Sequence, residues 1–240
     1  MKQLGKRGTH VGIVISFNIF ILFLISIFLL ISPFLKERGE KQQVLDSLYQ
    51  NLLENVSSNM TLTLIKVADG YTPSGKSCIE LSEGGWLLGE DIVVKNMLNR
   101  RLASNSDIPL DINWTGDKFL KIYSSPENFE VMPLSSSDCA IPIEDSNFFI
   151  KYTKTEKYIF ESNLIELNAS YREDYGELKT YLGILPEEEF GFSFINSQGV
   201  TEVEVGRIPS SASVYSKENY IIYIDNESKF LPGIIVVKVW

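Results

Sequence analysis

Histidine is almost absent from this sequence. His10 is the only one, so histidine metal centres and Ser-His triads are excluded from everything after it. Cysteine is nearly as scarce. Cys78 and Cys139 are the two present, and their separation forms no CxxC redox or zinc motif. Calcium loops of the Asp/Asn-Gly-Glu kind are missing as well, so no metal and no cofactor is expected. No internal repeat and no low-complexity tract is present, which sets aside solenoids and disordered linkers. Acid is missing from the first 36 residues, and residues 11–35 carry no charge of either sign.

That uncharged stretch is the strongest feature present. It reads VGIVISFNIFILFLISIFLLISPFL. As a helix it reaches roughly 37 Å at about 1.5 Å per residue, enough to cross a hydrocarbon core of about 30 Å. The apolar stretch of a secretory signal peptide runs only about 7–15 residues and ends in a small-residue cleavage site. Here Pro33-Phe34-Leu35-Lys36 follows instead. A single membrane-spanning helix is therefore expected, with membrane lipid as its partner. Asn18, inside it, can hydrogen-bond a neighbouring helix for about 1 kcal/mol.

Charge sets the expected orientation. Lys2, Lys6 and Arg7 precede the span, and a mixed flank of Lys36, Glu37, Arg38, Glu40 and Lys41 follows. The positive-inside rule places the N-terminus in the cytoplasm and the remainder outside the cell membrane. That remainder holds 19 lysines and arginines against all 31 acidic residues, a formal charge of −12. Such a surface repels phosphate backbones, so nucleic acid is not an expected partner.

An outside address bears on two further features. In an oxidising compartment Cys78 and Cys139 either pair, closing a loop worth about 4 kcal/mol, or remain two separate buried thiols. The compartment favours the pair. Five N-glycosylation sequons begin at Asn55, Asn59, Asn113, Asn168 and Asn226. Asn113 and Asn226 read as surface turns.

Periodicity divides the chain as 1–8, a basic leader; 9–35, the transmembrane helix; 36–60, an amphipathic stalk helix; 61–157, a β-rich region; and 158–240, an α+β region. In the stalk Leu45, Leu48, Tyr49, Leu52, Leu53, Val56 and Met60 share one face, which must pack on the outer domain or on neighbouring copies. Pro33 is expected to kink the join. From Thr61 the period becomes two, and short strands separated by turn clusters suggest a sandwich-like layer, with a strand at 129–132 among them. Beyond Tyr158, Leu167, Tyr171, Tyr175, Leu178 and Leu182 recur at helical spacing up to a stop at Gly183. Strands follow at 190–195, 200–205, 220–224 and 234–240. The continuous apolar run 234–237 marks a central strand covered by that helix. The fold class is thus α+β, with a helix packed on a small antiparallel sheet in the second half.

One motif looks like chemistry. Gly70 to Ser77 matches GxxxxGK[ST], in which glycines let backbone amides wrap phosphates and the next helix adds its dipole. Here an alternating segment follows, Cys78-Ile-Glu-Leu81, so a plain turn between strands is the better reading. The acid clusters Glu144-Asp145 and Glu187-Glu188-Glu189 read as solvated loop charge. No catalytic residue is assigned, and the chain is not expected to be an enzyme.

The residues Lys6-Arg7-Gly8-Thr9, run directly into the apolar helix, resemble the leader of archaeal type IV pilin-like surface proteins with a class III signal peptide. The Tyr175 to Phe190-Gly-Phe-Ser helix–strand unit and the terminal Val-Lys-Val-Trp240 strand also look like those of such proteins. The resemblance implies that a prepilin-type peptidase cuts between Gly8 and Thr9. The helix so freed would associate with like or related pilin subunits through the transmembrane and stalk helices. Ile13 stands where the family carries a glutamate, which implies a minor subunit. Two other readings remain. The chain is an uncleaved, signal-anchored binding module outside the cell, or, on the Gly70 to Ser77 loop, a nucleotide-binding protein or ectoenzyme.

Overall fold

The structure, a computed structural model, describes residues 8–71, 78–81, 91–105, 109–114, 116–130, 132, 134, 147–206 and 213–240. Along 8–11 and 33–38 it describes the backbone alone.

A single helix, α1 (Gly8–Asn55), spans 48 residues. It runs through Pro33 without a break, so the stalk continues the apolar helix. Proline removes one amide donor there, and the turns on either side retain theirs. The helix ends five residues earlier than its apolar stripe suggests. After the Val56 amide donates to the Leu52 carbonyl at 3.0 Å, the chain enters β1 (Ser57–Val67). Val56 and Met60 are four residues apart, a spacing that keeps both on one face of a helix and equally on one face of a strand. Ser57, Ser58 and Asn59 are poor helix formers, and pairing with a distant strand decides the matter.

The other elements are β2 (Cys78–Leu81), β3 (Asp91–Asn96), β4 (Arg101–Leu102), β5 (Leu110–Asn113), β6 (Phe119–Ser125) and β7 (Phe148–Phe160). Then come α2 (Glu161–Glu173), α3 (Tyr175–Tyr181), β8 (Phe190–Ile195), β9 (Thr201–Val205), β10 (Tyr215–Ile224) and β11 (Phe230–Val239). Nine strands form one sheet in the order β4-β3-β6-β1-β7-β10-β11-β8-β9, and β2 pairs with β5 in a second. The fold is α+β, as expected, but the large sheet runs through both halves of the chain. Its seam is β7, which pairs antiparallel along β1 from Val67↔Phe148 to Ser57↔Ile159. β7 also meets β10 in parallel at Tyr223↔Ile159 and Ile224↔Phe160. The division at 157/158 lies inside this strand.

Three apolar clusters hold the layers. β1, β3 and β6 face the β2–β5 pair through Ile65, Val94, Ile122, Ile79 and Ile112, a small sandwich like the one expected for the first half. Met60, Val93, Tyr123, Phe129, Phe160 and Ile224 pack together around the seam. The largest cluster sets Leu45, Leu48 and Leu52 of α1 and the following Val56, with Leu164, Leu167, Leu178 and Leu182, against Phe190, Phe192, Phe194, Ile235 and Val237.

Three local expectations change. The helix expected through Leu167, Tyr171, Tyr175, Leu178 and Leu182 is two helices, because Asp174 caps the second by accepting the Glu177 amide at 2.9 Å. The stop at Gly183 holds, with φ +71. β11 is interior to the sheet, but α1 and not α2 packs across it, and burial alternates along it; α2 lies toward β9. Phe129 and Glu130 form no strand: the Phe129 amide donates to the Asp91 carboxylate at 3.2 Å, and that of Glu130 to the Asn226 carbonyl at 2.8 Å.

Candidate functional site

Helix α1 has two surfaces of opposite character. From Gly12 to Ser32 it is apolar enough to cross a membrane, with mean hydropathy 2.9, and none of that stretch is buried. Phe17, Leu22, Phe28 and Leu29 stand out from it. A continuous apolar surface of this size is far beyond what a chain exposes to water. From Leu45 onward the same helix is packed down, with Leu48 and Leu52 fully buried. Burying each such leucine contributes about 1.5–3 kcal/mol.

Polar contacts fasten this junction. Lys41 pairs with Glu188 at 3.2 Å, and Lys217 of β10 reaches Asp46 at 2.6 Å. The hydrogen bond from Lys217 is the main cause holding the Asp46 carboxyl below its ordinary range. The Asn51 amide donates to the Leu182 carbonyl at 2.8 Å, closing the end of α3 against α1. The Glu187–Glu189 run is therefore not simply solvated charge. Glu188 is buried against Lys41, and Glu189 accepts from the Tyr175 hydroxyl and lies 3.4 Å from Lys179. Glu144-Asp145 lies outside the described residues.

Those residues singled out from sequence that are described lie on separate elements. Gly8 and Thr9 open α1, while Lys6 and Arg7 lie outside the described residues. Cys78 is buried as the first residue of β2, and Cys139 lies outside the described residues. Among the sequons, Asn59 and Asn226 are exposed. Asn55 ends α1 and donates to the Asn51 carbonyl at 2.8 Å. Asn168, in α2, is half-buried, and its side-chain oxygen is enclosed without a hydrogen-bond partner. Asn113 was expected on a surface turn but sits half-buried in β5, because its amide is drawn to the Ala103 carbonyl at 2.8 Å. Of the phosphate-loop match, Gly70 has φ +85 and residues 72–77 lie outside the described residues. The element that follows in sequence is strand β2, not a helix. Among the described residues no group of three metal-ligating side chains occurs.

Two clefts escaped the sequence reading. One, of about 650 Å³, lies between the end of α1 and helices α2 and α3. There Glu127 accepts hydrogen bonds from Ser58 and, at 3.0 Å, from Asn163. The other, of about 550 Å³, lies between the turn joining β3 to β4 and the turn joining β10 to β11. Lys95, Arg100, Arg101 and Lys229 line it, with Glu130 and Glu227. Its one visible signal in the sequence is Arg100-Arg101, the only adjacent arginine pair.

Lys95 is 95% buried in the wall of that second cleft. Its ammonium donates to the Ser228 carbonyl at 2.5 Å and lies 5.1 Å from the centre of the Tyr123 ring. Burial is the first cause pushing its pKa down to about 8 from 10.5, with Arg101 adding to it. The unfolded chain then binds more protons than the folded one between those values. Stability therefore rises with pH from about 8 to 10.5, and the penalty for holding the charge is fully present below 8. The stability of the wild type relative to Lys95→Met should climb across that window in denaturant titrations. Parallel curves would remove this role from Lys95.

No family model, curated protein or solved structure matches this chain.

Proposed function

We propose that the protein is a single-pass membrane-anchored surface protein, a pilin-like structural or interaction subunit without enzymatic activity. The observation that carries this reading is the change along α1, from wholly exposed and apolar over Gly12–Ser32 to buried at Leu45, Leu48 and Leu52. One helix thus serves as both anchor and spine. The cations Lys2, Lys6 and Arg7 hold the N-terminus in the cytoplasm, leaving the acidic domain outside the cell.

On this reading a prepilin-type peptidase cuts between Gly8 and Thr9. Removing Lys6 and Arg7 matters because a charged leader is costly to carry among packed apolar helices. Contacts with other subunits then run through the span, where Asn18 can bond across the interface. The stripe at Leu45, Leu48 and Leu52 is already occupied by its own sheet, so it is not the surface that neighbours use. With Ile13 in place of a carboxylate, nothing in the span pairs a neighbour's new amino terminus, which suits a minor or tip subunit.

That occupied stripe also favours a second reading, an uncleaved signal-anchored binding module. N-terminal sequencing of protein from its native membrane separates the two. A start at Thr9, lost in Gly8→Val, is the expected result. A start at Met1 or Lys2, unchanged in Gly8→Val, leaves the anchored binding module as the account.

A further inference from the structure

We propose that the cleft between the β3–β4 turn and the β10–β11 turn binds an oxyanion, the carboxylate or phosphate group of an acidic ligand. The region after the span carries a formal charge of −12, yet this cleft gathers Lys95, Arg100, Arg101 and Lys229 against Glu130 and Glu227. Lys121 adds a further positive charge near Lys95. The local field is therefore reversed from that of the surrounding surface, which concentrates anions at this one place.

Among the described residues the two inner cations form no ion pair. The Arg101 side chain is half-buried and makes no hydrogen bond to any described residue, although Glu130, Glu227 and Asp225 are near enough to act on it through space. Glu227 is engaged by Lys229. Lys95 has three N–H donors, and among the described residues it donates to the Ser228 carbonyl and lies over the Tyr123 ring, both neutral. A half-buried guanidinium presents a planar fork of donors that fits a carboxylate or phosphate in two parallel bonds. Exposed Met132 supplies an apolar edge for the body of the ligand.

Both walls are held in set conformations. On one, the Asn96 side chain accepts the amides of Leu98 and Arg100, each at 3.0 Å, and Asn99 takes φ 59. On the other, Asp225 accepts the Lys229 amide at 2.7 Å, and Ser228 takes φ 64. These are the two non-glycine residues with positive φ among those described, one on each side of the cleft. Backbone held in this way persists where surrounding contacts over-determine it, and such sites collect at ligand clamps.

The test uses full-length protein in neutral detergent, titrated calorimetrically with inorganic phosphate, with glucuronate and with polygalacturonate. Saturable binding of at least one probe is expected, weakened on the order of tenfold by Arg101→Met and by Lys229→Gln, as for a lost charge-assisted contact. Lys118→Met, an exposed lysine paired with Asp69 elsewhere on the sheet, should leave binding unchanged. Equal affinity per site for monomer and polymer identifies a small soluble ligand, and tighter binding of the polymer identifies a surface polyanion. Absence of saturable binding overturns the proposal. So does binding that is reduced equally by Lys118→Met, which would reflect net charge alone. The melting temperature of each variant confirms that a lost signal is not lost folding.

Discussion

Leu48→Ala and Leu52→Ala are each expected to lower the stability of the folded domain by about 2–5 kcal/mol, while Leu22→Ala and Leu29→Ala leave it unchanged. All four leucines belong to α1, two in its exposed apolar stretch and two in its docked one. Leu48 and Leu52 are fully buried among Phe190, Phe192, Ile235 and Val237, so trimming them opens cavities that close-packed neighbours cannot refill. Leu22 and Leu29 are 63% and 65% exposed and touch no part of the sheet domain's core. Denaturant titration in detergent, followed by tryptophan fluorescence, measures the difference. Equal effects at all four positions would mean that α1 is not docked as described.

On the anchored reading, deleting residues 1–35 is expected to yield a soluble, folded protein, and deleting 1–56 an insoluble one. The first deletion removes the segment that water does not tolerate and keeps Leu45, Leu48 and Leu52 on the sheet. The second uncovers the face formed by Phe192, Phe194, Ile235 and Val237, a contiguous apolar patch of the kind that drives aggregation. It also removes the partners of Glu188 and Lys217, leaving Glu188, a buried carboxylate, without its cation. Fractionation after a high-salt wash, with circular dichroism of the soluble part, reads both outcomes. Recovery of the 36–240 chain in the membrane pellet would show a second membrane-binding surface. A soluble, folded 57–240 chain would show that α1 is dispensable to the domain.

Much of the fold is legible where the cause is local. The β8–β9 turn is one example: Asn196 accepts the amides of Gln198 and Val200 with its own side chain, and Gly199 takes φ +78. Gly183 stops α3 for a similarly local reason. The break at Asp174 was also local in cause but was missed, because the apolar spacing of Tyr171, Tyr175 and Leu178 continues across it. The candidate cleft was not legible. Its cations come from residues 95–101 and 229, more than 120 positions apart, and they meet only because β3 and the β10–β11 turn approach from opposite halves of the chain.

By itself the sequence determined the apolar helix, the charge asymmetry around it, the α+β class, the turns at 196–199 and at Asn226, and many strand positions. Each of these follows from solvation or backbone geometry within a few neighbouring residues. Tertiary structure alone decided where α1 ends, which surface covers its stripe, that β7 joins both halves into one sheet, and which cations share a cleft. Those outcomes depend on register between distant strands. Met60, which suits either period, takes its conformation from its pairing with Glu156 of β7, and the Val56 carbonyl before it accepts the Phe160 amide at 3.1 Å.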